Sequence, residues 1–180
     1  MIRIIAGERK GLRLSVPRGI SVRPTGDRVK EAIFNLVNDV SQARVLDAYA
    51  GTGALGLEAL SRGASEAVIV ERDFRIAEFA RRNADKVDLN GAKVIVETIE
   101  SHLRREAMSS RRYDLVLIDP PYADASHAMK MLSKLLPPVL SDSASVVVET
   151  DSTLEPRLPF RLEKTRTYGA TRISVFRSGL

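Results

Sequence analysis

The chain has 180 residues, 44% of them hydrophobic, which is enough for one domain with a sizeable core and too apolar for a disordered chain. Cysteine is absent, excluding disulfides, thiolate metal sites and the thiol nucleophile that methylation at pyrimidine carbon 5 requires; His102 and His127 stand apart without ligand spacing, so no metal is expected. The net charge of +5 is unevenly spread: residues 1–30 hold eight basic side chains against Glu8 and Asp27, the other 150 hold 20 basic and 21 acidic, and this N-terminal surplus points to a polyanionic partner.

The opening stretch is charged and strand-like, and no apolar run approaches the roughly 18 residues of a membrane span, so a soluble, cytoplasmic protein with no membrane partner is expected. Ile2–Ile5 and Leu12–Val16 flank Gly7-Glu8-Arg9-Lys10-Gly11, which predicts a hairpin with a basic loop. Pro17, Gly19 and Pro24 interrupt regular structure. Val29, Ile33, Leu36, Val37 and Val40 then recur at helical spacing, with Thr25 or Asp27 available as the N-cap. The division expected is a basic hairpin extension over 1–24 and a main domain over 25–180.

From residue 44 onward strands and helices alternate: strand 44–49, helix 52–61, strand 67–71, helix 74–87, strand 93–97, helix 100–108, strand 113–119, helix 126–136, strand 144–150. This rhythm predicts an α/β fold with a doubly wound, mostly parallel sheet. The ending differs, because 162–168 and 171–176 are separated by Gly169-Ala170 alone, a spacing that demands an antiparallel hairpin.

Two stretches carry chemistry. Asp47-Ala48-Tyr49-Ala50-Gly51-Thr52-Gly53-Ala54-Leu55-Gly56 joins the first strand of the alternation to its helix, and Glu71 ends the next strand. Glycines let backbone approach a ligand, a helix start supplies amide donors, and an acid at the end of the second strand suits ribose hydroxyls; an adenosine-containing ligand is indicated. The loop also satisfies the dinucleotide GxGxxG pattern, so NAD stays open from this stretch alone. The second stretch is Asp119-Pro120-Pro121-Tyr122, directly after the apolar run 115–118. Two prolines end a buried strand abruptly, and the strand's carboxyl end is where open α/β sheets bind ligands. Asp119 and the Pro120 carbonyl offer acceptors for the two hydrogens of an exocyclic amine, and Tyr122 offers a stacking face for a nucleobase. Amine recognition beside an adenosine cofactor fits methyl transfer from S-adenosylmethionine better than hydride transfer.

The glycine loop, Glu71 and Asp-Pro-Pro-Tyr in that order resemble the amino-methyltransferases of the Rossmann-like class. Three further stretches narrow this: Arg3-Ile4-Ile5-Ala6-Gly7, Arg23-Pro24-Thr25 through Asp27-Arg28-Val29, and Ala54-Leu55-Gly56-Leu57-Glu58-Ala59-Leu60-Ser61-Arg62-Gly63-Ala64. With Tyr168-Gly169 near the end, the chain is similar throughout to the bacterial 16S ribosomal RNA guanine-N2 methyltransferase family. The resemblance implies a seven-stranded sheet with an antiparallel final strand, S-adenosylmethionine as donor, and one guanosine of 16S ribosomal RNA as acceptor, met by a monomer within a small-subunit particle.

Carried over by position, Gly51 and Gly53 lie against the methionine part of the cofactor with Asp47 beside them, Glu71 takes the ribose, and Arg72 joins the cofactor set. Asp119 touches both cofactor and base, and Asp119 to Tyr122 hold the base. Tyr49 replaces a phenylalanine common in the loop. Thr98 stands where related enzymes often carry an acid for the adenine amine, so the adenine contact expected here runs through the backbone near Thr98 and Ile99. Arg9, Lys10, Arg13, Arg23 and Arg28 are expected to grip RNA phosphate. A DNA adenine-amine methyltransferase uses the same tetrapeptide logic and stands as the alternative; an NAD-dependent oxidoreductase leaves Asp-Pro-Pro-Tyr unexplained, and a non-catalytic RNA-binding module leaves the glycine loop unexplained.

Overall fold

The computed structural model describes residues 2–17, 26–37, 39–121 and 124–179. The chain opens with β1 (Ile2–Arg3) and β2 (Arg13–Leu14), then α1 (Asp27–Val37) and β3 (Arg44–Ala48). Alternation follows through α2 (Ala54–Ser61), β4 (Glu66–Glu71), α3 (Phe74–Val87), β5 (Ala92–Val96), α4 (Ile99–Glu106), β6 (Tyr113–Ile118) and α5 (Ala125–Leu135). After a 3-10 turn at Pro137–Val139 come β7 (Leu140–Asp151), β8 (Arg161–Tyr168) and β9 (Thr171–Arg177). Among the described residues, no helix is long and apolar enough to cross a membrane.

Seven strands form one sheet in the order β5-β4-β3-β6-β7-β9-β8, parallel except for β9, which runs antiparallel to both its neighbours. The seven-stranded, mostly parallel sheet and the two-residue hairpin at Gly169-Ala170 are therefore both as expected. β3, β4, β6 and the Ala144–Thr150 part of β7 are mostly buried on both faces because helices cover both. One core layer joins β1, β2, α1, α2 and α3 to the sheet face bearing Val45, Ile69 and Leu117; the other joins α4 and α5 to the face bearing Leu46, Val116 and Val146. The strand order reverses between β3 and β6, which is where a doubly wound sheet opens a crevice at its carboxyl edge.

Boundaries move where side chains redirect the backbone. α3 matches its expected span because the Asp73 side chain accepts the Arg75 amide and caps it. β7 starts four residues earlier than expected, through the polar Ser141–Ser143, because Leu140 pairs with Tyr113 before a register shift brings Ser145 opposite Leu115. β1 and β2 are only two residues each. Past Arg3 the Ile5 and Ala6 amides donate to the Glu58 carboxylate at 2.7 and 3.0 Å instead of to a strand.

Glu58 is wholly buried beside Lys30, 3.8 Å away, and Lys30 also donates to the Arg3 carbonyl. Burial holds the Lys30 ammonium below its usual range, and Glu58 pulls it back. This pair, with Ile2, Ile4 and Leu14 in the core, welds the hairpin to the main domain. The N-cap expected of Asp27 is absent: the Gly26 carbonyl accepts the first helical amides of α1, and Asp27 instead pairs with Arg3 at 2.9 Å. Thr25 lies outside the described residues.

Candidate active site

The carboxyl ends of β3, β4, β6 and β7 open into a cavity of about 1000 Å³. Register sets their acids in one row: Ala48 pairs with Val70 and with Ile118, and Ile118 with Val148, so the next residues along are Tyr49, Glu71, Asp119 and Glu149. All four line the cavity, with Asp47, Gly51, Arg72, Thr98, Ile99, Pro120 and Pro121 of the expected set. Tyr122 and Arg23 lie outside the described residues.

The glycine loop is built by its own hydrogen bonds. The Ala50 amide continues the sheet onto the Val70 carbonyl at 3.0 Å, and the Gly53 amide turns back onto the Ala50 carbonyl at 2.8 Å. Tyr49 bends the chain with φ of 63°, and Gly53 starts α2 with φ of 77°, a left-handed conformation that a β-branched residue avoids. Glu71 holds the loop from below, accepting the Gly51 amide at 2.9 Å and the Asp73 amide at 2.8 Å. Its second lone pairs keep acceptor capacity for hydroxyl groups.

Gly53 itself does not line the cavity. Its place is at the helix start, against Ile69 and Ala80. Close approach is the task of Gly56, where a methyl group would stand 2.9 Å from Ile69 Cγ1 and 3.2 Å from Asp47 Oδ2. That space lets Asp47, 2% exposed, accept the Gly56 amide at 2.8 Å. Burial pushes the Asp47 carboxyl up to about 8, against the pull of that amide and with help from Asp119 and Glu71.

Thr98 accepts the Ser101 amide at 3.2 Å and caps α4, and both Thr98 and the buried Ile99 line the cavity. Glu97, the residue before Thr98, also lines the cavity and is bound to Arg105 at 2.7 Å through both oxygens and to His102 Nδ1 at 2.9 Å. Those partners hold its carboxyl below the usual range despite partial burial. Among the described residues, eight carboxyl side chains but a single guanidinium, that of Arg72, line the cavity.

The basic hairpin is placed otherwise than expected. The Glu8 amide donates to the Ser61 carbonyl at 2.8 Å and the Arg9 amide to Ser61 Oγ at 3.0 Å, which puts the tip at the carboxyl end of α2. That is a helix length of about 12 Å from the glycine loop. Adjacency to the cavity holds for Ile2 and not for the tip. Arg9 closes the end of α3, donating to the Val87 carbonyl at 2.6 Å and the Asp88 carbonyl at 2.9 Å, and pairs with Glu8 at 3.0 Å. Lys10, Arg13 and Arg28 are exposed. Sequence reasoning passed over Glu149 and gave Tyr168 no role in the site, yet both line the cavity; an acid ending an apolar strand run and an aromatic residue at a hairpin turn were the available signals.

A family model described as Conserved hypothetical protein 95 matches residues 2–177. The chain belongs to this family. Within reach of it, "Putative rRNA methyltransferase YlbH" of Bacillus subtilis is 34% identical over 183 residues, covering 98% of both chains. "Ribosomal RNA small subunit methyltransferase D" of Escherichia coli is 39% identical over 122 residues, covering 67% of this chain and 60% of that protein. Among solved structures, "Putative methyltransferase yhhF" of Escherichia coli superposes with a TM-score of 0.83 at 32% identity, covering 99% of this chain and 98% of that one. The ribosomal RNA methyltransferase family and the Rossmann-like fold are as expected from the motifs, and the protein is a methyltransferase.

Proposed function

We propose that the protein transfers a methyl group from S-adenosylmethionine to the exocyclic N2 amine of one guanosine in 16S ribosomal RNA, acting in the cytoplasm as a monomer on a small-subunit particle. The observation that carries this reading is the meeting, in one cavity, of the Gly51 loop, Glu71 and Asp119–Pro120. The cavity's charge supports the choice of cofactor. A lining of eight carboxyl groups and one guanidinium attracts a ligand bearing a sulfonium and an ammonium group, whereas the pyrophosphate of NAD would be repelled.

Bound there, the cofactor supplies a methyl group on a positively charged sulfur, an electrophile that a weakly basic amine can attack. In this reading the Gly51 loop receives the methionine part beside Asp47, Glu71 accepts the ribose hydroxyls, and Arg72 and Ile99 flank the adenine, whose edge meets the backbone at Thr98 and Ile99. The guanine amine is a poor nucleophile because its lone pair is delocalised into the ring. Asp119 accepting one N–H and the Pro120 carbonyl the other would align that lone pair with the methyl and stabilise positive charge developing on nitrogen. Pro121 fixes the turn, and Tyr122 stacks on the everted base, offsetting part of the unstacking cost. Lys10, Arg13, Arg23 and Arg28 serve as phosphate contacts in this reading; Arg9 is left out because its guanidinium closes α3.

Labelled methyl donor offered with small-subunit particles from cells lacking the gene is expected to label their RNA and to leave duplex DNA unlabelled. Label in DNA adenine would favour the alternative reading, and calorimetric binding of NAD in place of S-adenosylmethionine would end both.

A further inference from the structure

Outside the first thirty residues, charge is again uneven. Residues 157–180 hold six basic side chains against Glu163, balanced by an acidic middle in which residues 31–156 hold fourteen basic and twenty acidic groups. Five of the six lie on the β8–β9 hairpin, and exposed Arg157 precedes it. Most of its cations have structural tasks: Arg161 and Arg177 pair with Glu163, Lys164 donates to the Leu36 carbonyl of α1, and Arg172 donates to the Ser152 carbonyl. Arg166 differs, being exposed with its guanidinium on the adjacent Thr165 carbonyl at 2.8 Å.

Two residues beyond Arg166 on the same face of the edge strand stands Tyr168, 40% exposed and lining the cavity mouth. Cross-strand register fixes where it points. Glu149 lies opposite Ile173 and Ile173 opposite Arg166; one pleat further, Asp151 lies opposite Thr171 and Thr171 opposite Tyr168. Tyr168 is thus on the sheet face of Glu149, on the side where the first turn of α1 contributes Val29 to the same cavity. The tip that presents it is clamped, since the Ser152 amide donates to the Ala170 carbonyl at 2.9 Å while Arg172 holds the Ser152 carbonyl.

Tyr168 is thus a half-exposed aromatic ring that lines an acidic cavity, stands two residues along the strand from a cation and belongs to neither hydrophobic core. We infer that Tyr168 stacks on an RNA nucleotide flanking the methylated one, with Arg166 on the adjoining phosphate, so that RNA enters between the start of α1 and the β8–β9 tip. β8 lies three strands from β6, about 14 Å at a spacing of about 4.8 Å, so a nucleotide beside the one whose amine is held at Asp119 is the nearer fit for Tyr168. Tyr168 is therefore a positioning residue, and this inference rests on the RNA-methylating reading above.

The chain contains no tryptophan, so Tyr168→Trp installs a single indole reporter at the rim. Small-subunit RNA added to this variant, already saturated with S-adenosylhomocysteine, is expected to quench it. Tyr168→Ala should raise KM for small-subunit particles roughly five- to a hundredfold, the range for losing one stacked base, with kcat, S-adenosylmethionine affinity and melting temperature unchanged. Tyr168→Phe should restore KM, because the ring and not the hydroxyl does the stacking. Arg166→Ala should raise KM less and flatten its salt dependence. Wild-type KM in Tyr168→Ala, or an indole unaffected by RNA, overturns the inference while wild-type methylation keeps the RNA reading; a wild-type protein that methylates no small-subunit RNA overturns both.

Discussion

The Asp47 carboxyl group accepts the Gly56 amide at 2.8 Å in a position only 2% exposed, tying the end of β3 to the first turn of α2. Burial raises this carboxyl to about 8, so it is largely protonated at neutral pH while the cavity holds no cation. A sulfonium or ammonium group arriving nearby favours the carboxylate. S-adenosylmethionine binding below about pH 8 should therefore release a proton, and affinity should rise from pH 6 to 8 and then level off. Calorimetry in two buffers of different ionisation heat measures the release, and Asp47→Asn should abolish it. The same group makes stability fall with pH: the folded state keeps a proton that the unfolded state has lost, across the window from about 4 to about 8. Asp47→Asn should accordingly gain on the wild type as pH rises from 5 to 8 in thermal melts.

Gly53 and Gly56 should fail differently. Gly53→Val places a β-branched side chain at φ of 77°, and the strain falls on the start of α2 with only ordinary contacts around it. A loss of about 1–3 kcal/mol in denaturant unfolding is expected, with weaker cofactor binding following from the displaced loop. Gly56→Ala keeps helical backbone but drives a methyl group 2.9 Å from Ile69. It should cost about 1–3 kcal/mol through overpacking and also displace Asp47. Wild-type melting in both variants would contradict the packing described.

Glu71 serves the protein before it serves any ligand. Its two oxygens hold the Gly51 and Asp73 amides. Glu71→Ala should lower stability by about 1–3 kcal/mol as well as S-adenosylmethionine affinity, because two amides lose their acceptor. Glu71→Gln, which keeps one acceptor oxygen, should recover more of the stability than of the affinity. Equal losses in the two variants, by melting and calorimetry, would contradict the split.

The sheet was legible because apolar runs and turn residues act locally: α3 and the Gly169-Ala170 hairpin stand where the sequence places them. The glycine loop, Glu71 and Asp119 were legible because each sits at a strand end, and strand ends of such sheets converge. What stayed hidden depends on pairing across the chain. Nothing in the neighbourhood of Lys30 announces Glu58, and the hairpin tip, close in sequence to α1, is drawn to the far end of α2 by Ser61 and Glu58. Tyr168 and Glu149 reach the cavity only because β7 lies beside β6 and β9 folds back on β7. Arg9 shows what charge counting leaves out, since a side chain counted for RNA also donates to the Val87 and Asp88 carbonyls at the end of α3.

Asp119 carries the proposed chemistry. Asp119→Ala should reduce single-turnover methyl transfer by roughly a hundredfold, about 3 kcal/mol, while S-adenosylmethionine affinity stays within a few-fold. Asp119→Asn, retaining an acceptor without the charge, should be milder. Transfer near the wild-type rate in the alanine variant would reduce the tetrapeptide to a turn.

The most direct test of the central claim is mass-spectrometric mapping of methylated nucleosides in 16S ribosomal RNA from cells with the gene, without it, and complemented with Asp119→Ala. The account predicts one N2-methylguanosine that is present with the wild-type gene, absent without it and not restored by the variant. An unchanged set of N2-methylguanosines in the deleted strain, or full restoration by Asp119→Ala, would contradict it.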